Sequence, residues 1–585
     1  MIRFFMKKFL IPVVSILLFG SKVLWADPFL RIVQPFENYD IPPVESSFVF
    51  GSVLPATASL TINGASVTPH TNGGFIKIIP FNEGRFKINA VAFDGVSTTT
   101  VTREVNVAPM RSSFSLTEKK IRPLSPTTRV VVRPGDIVDV IFQGAPEGKA
   151  TFRIGKKGPY FPMFEQPGDV RGIYQGAYSI QPNDKFDGAD IYFGLRRSDG
   201  KKINSRARAK IIVQRRKLPR FVEIKDDAVL LTGPGSSYGY HLFLDKGIRL
   251  EVTGELGNFL RVLLSRDTQG WIKKSVAKEL PAGTPMTRSI TRNMRIDYIE
   301  GNTLIELPLK NRHAYKIEQF LFPHRLRLTL YGVTPDTDRI RLKSKETIVE
   351  SVDWTQNEPG SVTFEILTKQ EYAWGYHARY EGTTFMLEIR HKPENYSGRG
   401  LRGIRVALDA GHTKSSFGTI GPWGNTEAEV NLMISKVIKV ALERRGAEVV
   451  MIQDGTKEIS LQNRVNLAWN EKADFFISIH CDATGEGNDP FEQQGFSVHY
   501  YQPQSRPFAE ILHDIYGEQM KITDQGLWRS NLAVCRMPQM PSLLLEMAFL
   551  ILPEYEELLL TEKFHQSVAN VLVSSLMVYL DESMK

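Results

Sequence analysis

From Leu401 to the end of the chain, apolar runs and amphipathic stretches take turns. "GIRVALDAGH" reads as a strand, "NTEAEVNLMISKVIKVALERRG" as a helix, "AEVVMIQD" as a strand and "SLQNRVNLAWNEK" as a helix. "ADFFISIH" and "GFSVHYY" follow as strands, residues 505–520 as a helix, and "NLAVCR" and "PSLLLEMAF" as strands before a final helix to about Leu580. This alternation is the pattern of an α/β domain on a mainly parallel sheet. In such sheets ligands gather outside the carboxyl ends of the strands, so chemistry is sought there first.

Three of those ends carry something reactive. "VALDAGH" stops at His412, "FFISIH" stops at His480, and "LLLEMAF" holds Glu546 inside an apolar run. One histidine in a core strand is ordinarily a satisfied structural group. A strand glutamate among apolar neighbours is costly unless it is paired or beside a metal. Coincidence of all three at one sheet edge favours one shared site over three separate structural accidents. Two imidazoles and a carboxylate form a common catalytic zinc set with a fourth position left for water. A further glutamate can then act as the base.

The helix after His412 begins with a capping box, Thr426 and Glu429. Arg444 and Arg445 suit its C-terminal dipole, Gly446 ends it, and Val430, Ile434, Val437 and Ala441 should face the sheet. Glu427 occupies the first helical position, where the helix dipole favours a carboxylate whatever its role. His499 and His513 read as structural. Asp409 and Asp482 either orient an imidazole or shape a turn, and Arg464 reads as the anchor of a core carboxylate. The nearby serines lack a base-and-orienter pattern, so nucleophilic catalysis is not supported.

The 585 residues ahead of and including this unit exceed one hydrophobic core. Before it the grammar is β-rich. "ASLTINGASV", "GGFIKIIPF" and "RFKINAVAFDG" alternate apolar and polar residues between Asn-Gly and Asp-Gly turns. With a break near "NVAPMRSS", this gives an immunoglobulin-like β-sandwich over 27–108 and a second β-sandwich over 109–217. Gly233-Pro234, Tyr238, Lys246-Gly247, "LEVTGELGNFLRV" and Gly270-Trp271-Ile272 resemble the bacterial SH3-like domain, placed at 218–281. That resemblance implies a small β-barrel of a kind that often binds cell-wall peptide, or else a packing module. The strands "RIDYIEGNTLIELPL", "RLRLTLYGV" and "TTFMLEIRH" are similar in order to the AMIN domain, a β module found before cell-wall amidases, placed at 282–397. "NYSGRG" reads as a linker to the α/β domain at 401–585.

Residues 1–26 join a basic start (Arg3, Lys7, Lys8) to an apolar run and "LWA" before Asp27, the pattern of a secretory signal peptide. The apolar run is about a dozen residues, too short to span a bilayer comfortably. No transmembrane helix is expected after signal cleavage, and the mature chain is expected in the periplasm or cell envelope. Two cysteines, Cys481 and Cys535, exclude a disulfide scaffold and read as separate buried thiols, with a bridge still open. Residues 401–585 hold 16 Lys+Arg and 24 Asp+Glu, a net of −8. The whole-chain charge of +9 therefore leaves +17 on residues 1–400, densest in "RRSDGKKINSRARAKIIVQRRK". Basic surfaces favour polyanions. No nucleic acid is expected for an exported chain, which leaves anionic wall polymer, a membrane surface, or a plain solvated face.

"VALDAGH", "GPWGNTEAEVNL", "SLQNRVNLAWNEKADFFISIHCD", "GFSVHYY" and "MPSLLLEMAFL" together resemble the zinc-dependent N-acetylmuramoyl-L-alanine amidases of the amidase-3 family. The resemblance implies one catalytic Zn2+ held by His412, Glu427 and His480, with Glu546 as the catalytic carboxylate. It implies cleavage of the amide between N-acetylmuramic acid and L-alanine, peptidoglycan as partner, and contacts to wall-associated or divisome proteins through the front modules. The chain departs from the family at Ala410, Thr413, Ala428 and the pair Ile551-Leu552, where proline, glycine, lysine and serine-asparagine are usual; no ligand is lost. Some members carry a helical insertion that plugs the zinc, and the spacing between "GFSVHYY" and Glu546 leaves no room for one. An inactive wall-binding scaffold and a zinc peptidase acting on stem peptides are the other readings.

Overall fold

The computed structural model describes residues 27–214 and 218–584. The expected signal peptide and residues 215–217 of the basic patch lie outside them. The chain is β-rich up to Arg390 and α/β after Arg405.

The C-terminal domain is a six-stranded sheet. Its order is Glu448–Gln453, Arg405–Ala410, Phe475–Asp482, Ser542–Phe549, Phe496–Tyr500 and Asp524–Arg529. The first four strands run parallel, and Phe496–Tyr500 runs against Ser542–Phe549. The register sets His480 directly beside Glu546. One face of the sheet carries Leu408, Phe475, Ile477, Ile479 and Leu545 into a core closed by the helices Glu427–Arg444, Arg506–Met520 and Glu562–Ser583. The other face packs Ala407, Phe476 and Leu544 against Val465 and Ala468 of the helix Leu461–Asn470.

The helix Glu427–Arg444 starts at its capping box, with the Thr426 side chain accepting from the Glu429 amide and Glu429 accepting from the Thr426 amide. Such a cap contributes about 1 kcal/mol. Its buried stripe is Val430, Ile434, Ile438 and Leu442, and Val437 and Ala441 lie on the shoulder of that stripe.

One expectation fails here. "NLAVCR" is a turn, not a strand: the Cys535 and Arg536 amides both bond back to the Leu532 carbonyl. Its apolar side chains Val534 and Cys535 cover Phe476 and Leu544 from above the sheet, so they are buried without pairing. The edge position belongs to Asp524–Arg529, which pairs in parallel with Phe496–Tyr500. The helix Arg506–Met520 turns Phe508, Ala509, Leu512 and Tyr516 into the core, with Phe508 beside Tyr579. Among the described residues no helix is long and apolar enough to cross a membrane.

Four β units precede this domain. In the first, a three-stranded sheet (Phe29–Gln34, Ser46–Leu54, Gly74–Pro80) faces a five-stranded sheet across Val49, Val53, Ile62, Phe75 and Ile88. The second unit is built around Phe142, Phe152, Tyr174 and Phe193. Along its strand Lys202–Val213, Ala207, Ala209 and Ile211 point inward while Arg206, Arg208 and Lys210 alternate outward, and Lys210 pairs with Asp190. The short strand Val130–Val132 pairs with Lys202–Val213 on one side and with Arg249–Leu256 of the third unit on the other, so one sheet runs through both units. Gly233 packs its backbone on the Tyr238 ring, where a Cβ would come within 2.2 Å, which explains why glycine precedes the Pro234 turn.

The fourth unit packs a five-stranded sheet on a four-stranded one around Ile305, Leu328, Phe364 and Leu387. It fuses to the C-terminal domain: Trp374 sits in that domain's core edge-on to Phe475 and Tyr579, and Arg390 bonds Ala473 and Asp474.

Two histidines of this fourth unit are sealed in, each 3% exposed. His313 bonds the Ser289 hydroxyl at 2.8 Å and His324 the Thr368 hydroxyl at 2.6 Å. Burial pushes both pKa values down to about 4. The unfolded chain titrates them near 6.5, so their contribution to stability is complete above that pH and is lost as pH falls toward 4. The melting temperature of the full chain should therefore drop between pH 7 and pH 5. Replacing His324 by Gln should flatten that slope, as read by calorimetry at a series of pH values.

Candidate metal centre

The strand Arg405–Ala410 ends in Gly411, and His412 follows with φ at +68°, a left-handed conformation that non-glycine residues seldom adopt. The turn is held from beneath by Arg464. Its guanidinium donates to both oxygens of Asp409 at 2.9 and 3.1 Å and to the His412 carbonyl at 2.9 Å. Asp409 is fully buried and also accepts from Ser478 at 2.8 Å. Asp409 thus orients the arginine that carries the His412 backbone, and does not touch an imidazole. Asp482 accepts from the Ala483 amide and shapes the turn after His480.

The structure brings His412, Glu427 and His480 together, with one donor atom from each inside a mutual distance of 4.8 Å. The two imidazoles lie edge to face at 5.0 Å. Each oxygen of Glu427 faces one of them, Oε2 to His412 Nε2 at 3.1 Å and Oε1 to His480 Nδ1 at 2.9 Å. His412 Nδ1 bonds the Ser416 carbonyl at 3.1 Å, which turns Nε2 into the site. Glu427, 4% exposed, also accepts from the Thr419 amide at 3.0 Å, the Cys481 amide at 3.1 Å and the Asn431 side chain at 3.3 Å. Glu429 stays in its capping box.

Glycines make this cradle possible. A Cβ on Gly411 would fall 2.4 Å from the His480 ring, and one on Gly418 would fall 2.2 Å from Glu427 Oε2. Two imidazole nitrogens and a carboxylate oxygen converging at this spacing, with each ring or carboxylate steered by an outer hydrogen bond, fit the ligand chemistry of zinc.

Glu546 stands on the neighbouring strand opposite both His480 and Ser497. Its Oε2 is buried and has no hydrogen-bond partner among the described residues. Burial pushes its carboxyl well above the usual range, and the charges of Asp482 and Glu427 push the same way. Burial would raise Glu427 too, but the hydrogen bonds and charges of His412 and His480 overcome it and hold that carboxyl far below its ordinary value.

The remaining candidates fall outside the cluster. His499 is wedged between Ser497 at 2.9 Å and Ser530 at 2.7 Å, and burial lowers its pKa to about 4. His513 pairs with Asp524 at 2.9 Å on the surface. Cys481 and Cys535 are free, buried thiols on opposite faces of the sheet. Sequence reasoning missed Asn431, which sits one helical turn after Glu427, a spacing that puts both side chains on the same helix face.

Residues 406–577 match the model of the family described as N-acetylmuramoyl-L-alanine amidase. A Staphylococcus epidermidis protein named "Probable cell wall amidase LytH" is 29% identical over 188 residues, 32% of this chain and 62% of that relative. N-acetylmuramoyl-L-alanine amidase LytC of Bacillus subtilis is 32% identical over 148 residues, 25% of this chain and 30% of LytC. The chain thus spans less than two thirds of these relatives' length. Among solved structures, the catalytic domain of CwlV from Bacillus (Paenibacillus) polymyxa is 30% identical, with 30% of this chain and 98% of that one covered and a TM-score of 0.29.

The Asp409–Arg464 pair yields a prediction. Removing one partner strands the other charge in the core, at a cost of about 3–5 kcal/mol. Arg464→Met should lower the denaturation midpoint of the C-terminal domain accordingly and release the His412 turn. Urea titration with the tryptophan signal checks this, and a change below about 1 kcal/mol would contradict a buried pair.

Proposed function

We propose, from the premise that the C-terminal domain belongs to the N-acetylmuramoyl-L-alanine amidase family, that the protein is an exported zinc amidase cleaving the bond between N-acetylmuramic acid and L-alanine in peptidoglycan. The observation that carries the reading is geometric: donor atoms of His412, Glu427 and His480 converge within 4.8 Å, and Glu546 stands beside His480 on the neighbouring strand.

In this proposal His412, Glu427 and His480 hold the ion. Zinc bound there supplies a Lewis acid that brings the pKa of water toward neutrality and polarises the scissile carbonyl. Glu546 does the proton work. Its carboxylate takes the proton of the attacking water and passes it to the departing L-alanine nitrogen. A raised pKa suits that exchange, because a base that must later act as an acid works best near the ambient pH. Arg464 and Asp409 keep the His412 turn in place, and Asn431 and the Thr419 and Cys481 amides keep Glu427 aimed.

The front units are assigned to anchoring and arrangement at the wall: sandwiches at 27–108 and 109–217, an SH3-like unit at 218–281 and an AMIN-like unit at 282–397. The segment 1–26 is assigned to export, the compartment to the periplasm or envelope, and the role to wall remodelling and cell separation. No plug covers the metal in this reading, so the purified chain should be active without a partner.

Glu546→Gln should lower release of stem peptides from purified sacculi by at least about a hundredfold while the zinc content stays near one per chain. His480→Ala should lose both. Mass spectrometry of the digest and metal analysis of the protein are the measurements. Full activity of the glutamine variant would overturn the role of Glu546. Release of cross-link fragments in place of free stem peptides would mark a peptidase, and no release from zinc-loaded wild-type chain would mark a binding scaffold.

A further inference from the structure

The loop between Gly411 and the helix Glu427–Arg444 delivers two of the three ligands, yet it contains almost no regular structure. Its internal ties are short turn bonds, among them the Gly421 amide to the Asn425 carbonyl at 2.9 Å and the Glu427 amide to the Thr419 carbonyl at 2.9 Å, with one isolated bridge, Ile420 to Thr426. Its far end is held by Glu556, whose buried carboxylate accepts from the Trp423 amide at 2.9 Å and from the Asn425 side chain at 2.8 Å. Its near end is held by Arg464 at the His412 carbonyl and by Glu458, which accepts from the Ser415 amide at 3.1 Å, and the stretch between is covered by the other end of the chain. The Phe29 ring stacks on Trp423 at 6.3 Å with planes 6° apart. The Arg31 guanidinium lies against Gly424, whose φ of +91° gives the loop its bend. Phe48 and Phe50 form one apolar cluster with Ile551 and Leu552, with Ile420 packed at its edge.

The same sandwich also touches the loop after His480. Ala483 packs on that cluster, Ser47 donates to Glu486, and the Gly487 amide donates to the Ser47 hydroxyl at 3.3 Å. Asn72 donates to the Pro553 carbonyl at 3.1 Å, next to the loop that follows the Glu546 strand. Loops leaving three site-bearing strands thus meet one foreign domain. Irregular surface loops open more easily than the strands they leave, whereas a catalytic constellation must be held to within about half an ångström.

We propose that the sandwich of residues 27–108 is a positioning element of the metal site: it clamps the loop that presents His412 and Glu427, so the C-terminal domain is catalytically incomplete without it. The inference rests on the amidase reading for its kinetic consequence, and on geometry alone for its structural one.

The exposed segment around Arg111 and Ser112, between the first and second units, accepts a protease site. After cleavage of the full chain, the sandwich should co-elute with the remainder on size exclusion. Phe50→Asp in the cleaved chain should release it. Amide exchange of residues 413–426 should then speed up at least about tenfold while the strands Arg405–Ala410 and Phe475–Asp482 keep their protection. Zinc should be stripped by roughly tenfold less chelator, and kcat on a soluble muramoyl-L-alanyl peptide should fall at least about tenfold with KM within about threefold. Unchanged exchange of 413–426 and unchanged zinc retention after release would overturn the proposal. Should Phe50→Asp fail to fold, Phe29→Ala in the uncleaved chain tests the same clamp through exchange at Trp423 and Gly424; no change there would count equally against it. If exchange and zinc retention respond while the intact chain releases no stem peptide, the amidase reading fails and the positioning role stands.

Discussion

A nearly sealed carboxylate ties the working end of the sheet together. Glu427 begins a helix, yet its two oxygens reach the His412 imidazole and Thr419 amide of the loop before that helix and the His480 imidazole and Cys481 amide of the strand Phe475–Asp482. Burying that charge would be prohibitive if it were unpaired. The imidazoles and amides that pay this desolvation must therefore stay where they are, and they fix the relative positions of the strand Arg405–Ala410, the strand Phe475–Asp482 and the helix Glu427–Arg444. Loss of any one donor would leave the Glu427 carboxylate less compensated in its buried position.

The neighbouring carboxylate has the opposite fate. Glu546 sits one strand away, half-buried as a residue but with its Oε2 sealed, and no imidazole or amide is aimed at that oxygen. The same chemical group is thus driven down at one position and up at the other by its surroundings. Divergence of this kind is what separates a permanently charged ligand from a group able to give and take a proton. The twist and register of the parallel sheet set the two side by side: one residue of slippage would turn His480 or Glu546 to the wrong face.

Much of this was legible in the sequence because it follows from local periodicity. The capping box placed Thr426 and Glu427 at a helix start, and apolar runs ending in His412 and His480 marked strand ends. What local pattern does not contain is pairing. Phe496–Tyr500 and Asp524–Arg529 occupy the far edge with reversed direction, and "NLAVCR" is apolar because it lies on a sheet face. The route Asp409 to Arg464 to the His412 carbonyl joins residues 52 or more positions apart and no spacing rule announces it. Ile551 and Leu552 were visible as apolar residues in an unexpected place, but their cover, Phe48 and Phe50, comes from some five hundred residues earlier.

That long-range cover changes how the chain's units relate. A row of modules joined by linkers would leave each β unit free to act alone. Here the fourth unit inserts Trp374 into the C-terminal core and pairs Arg390 with Asp474 where the parallel strands begin. The first unit closes on the opposite end of the same sheet, where those strands finish. The second and third share one sheet between them. The two attachments grip the sheet at both ends of its strands, so the loops around His412 and the strand starts are each packed against a different front unit.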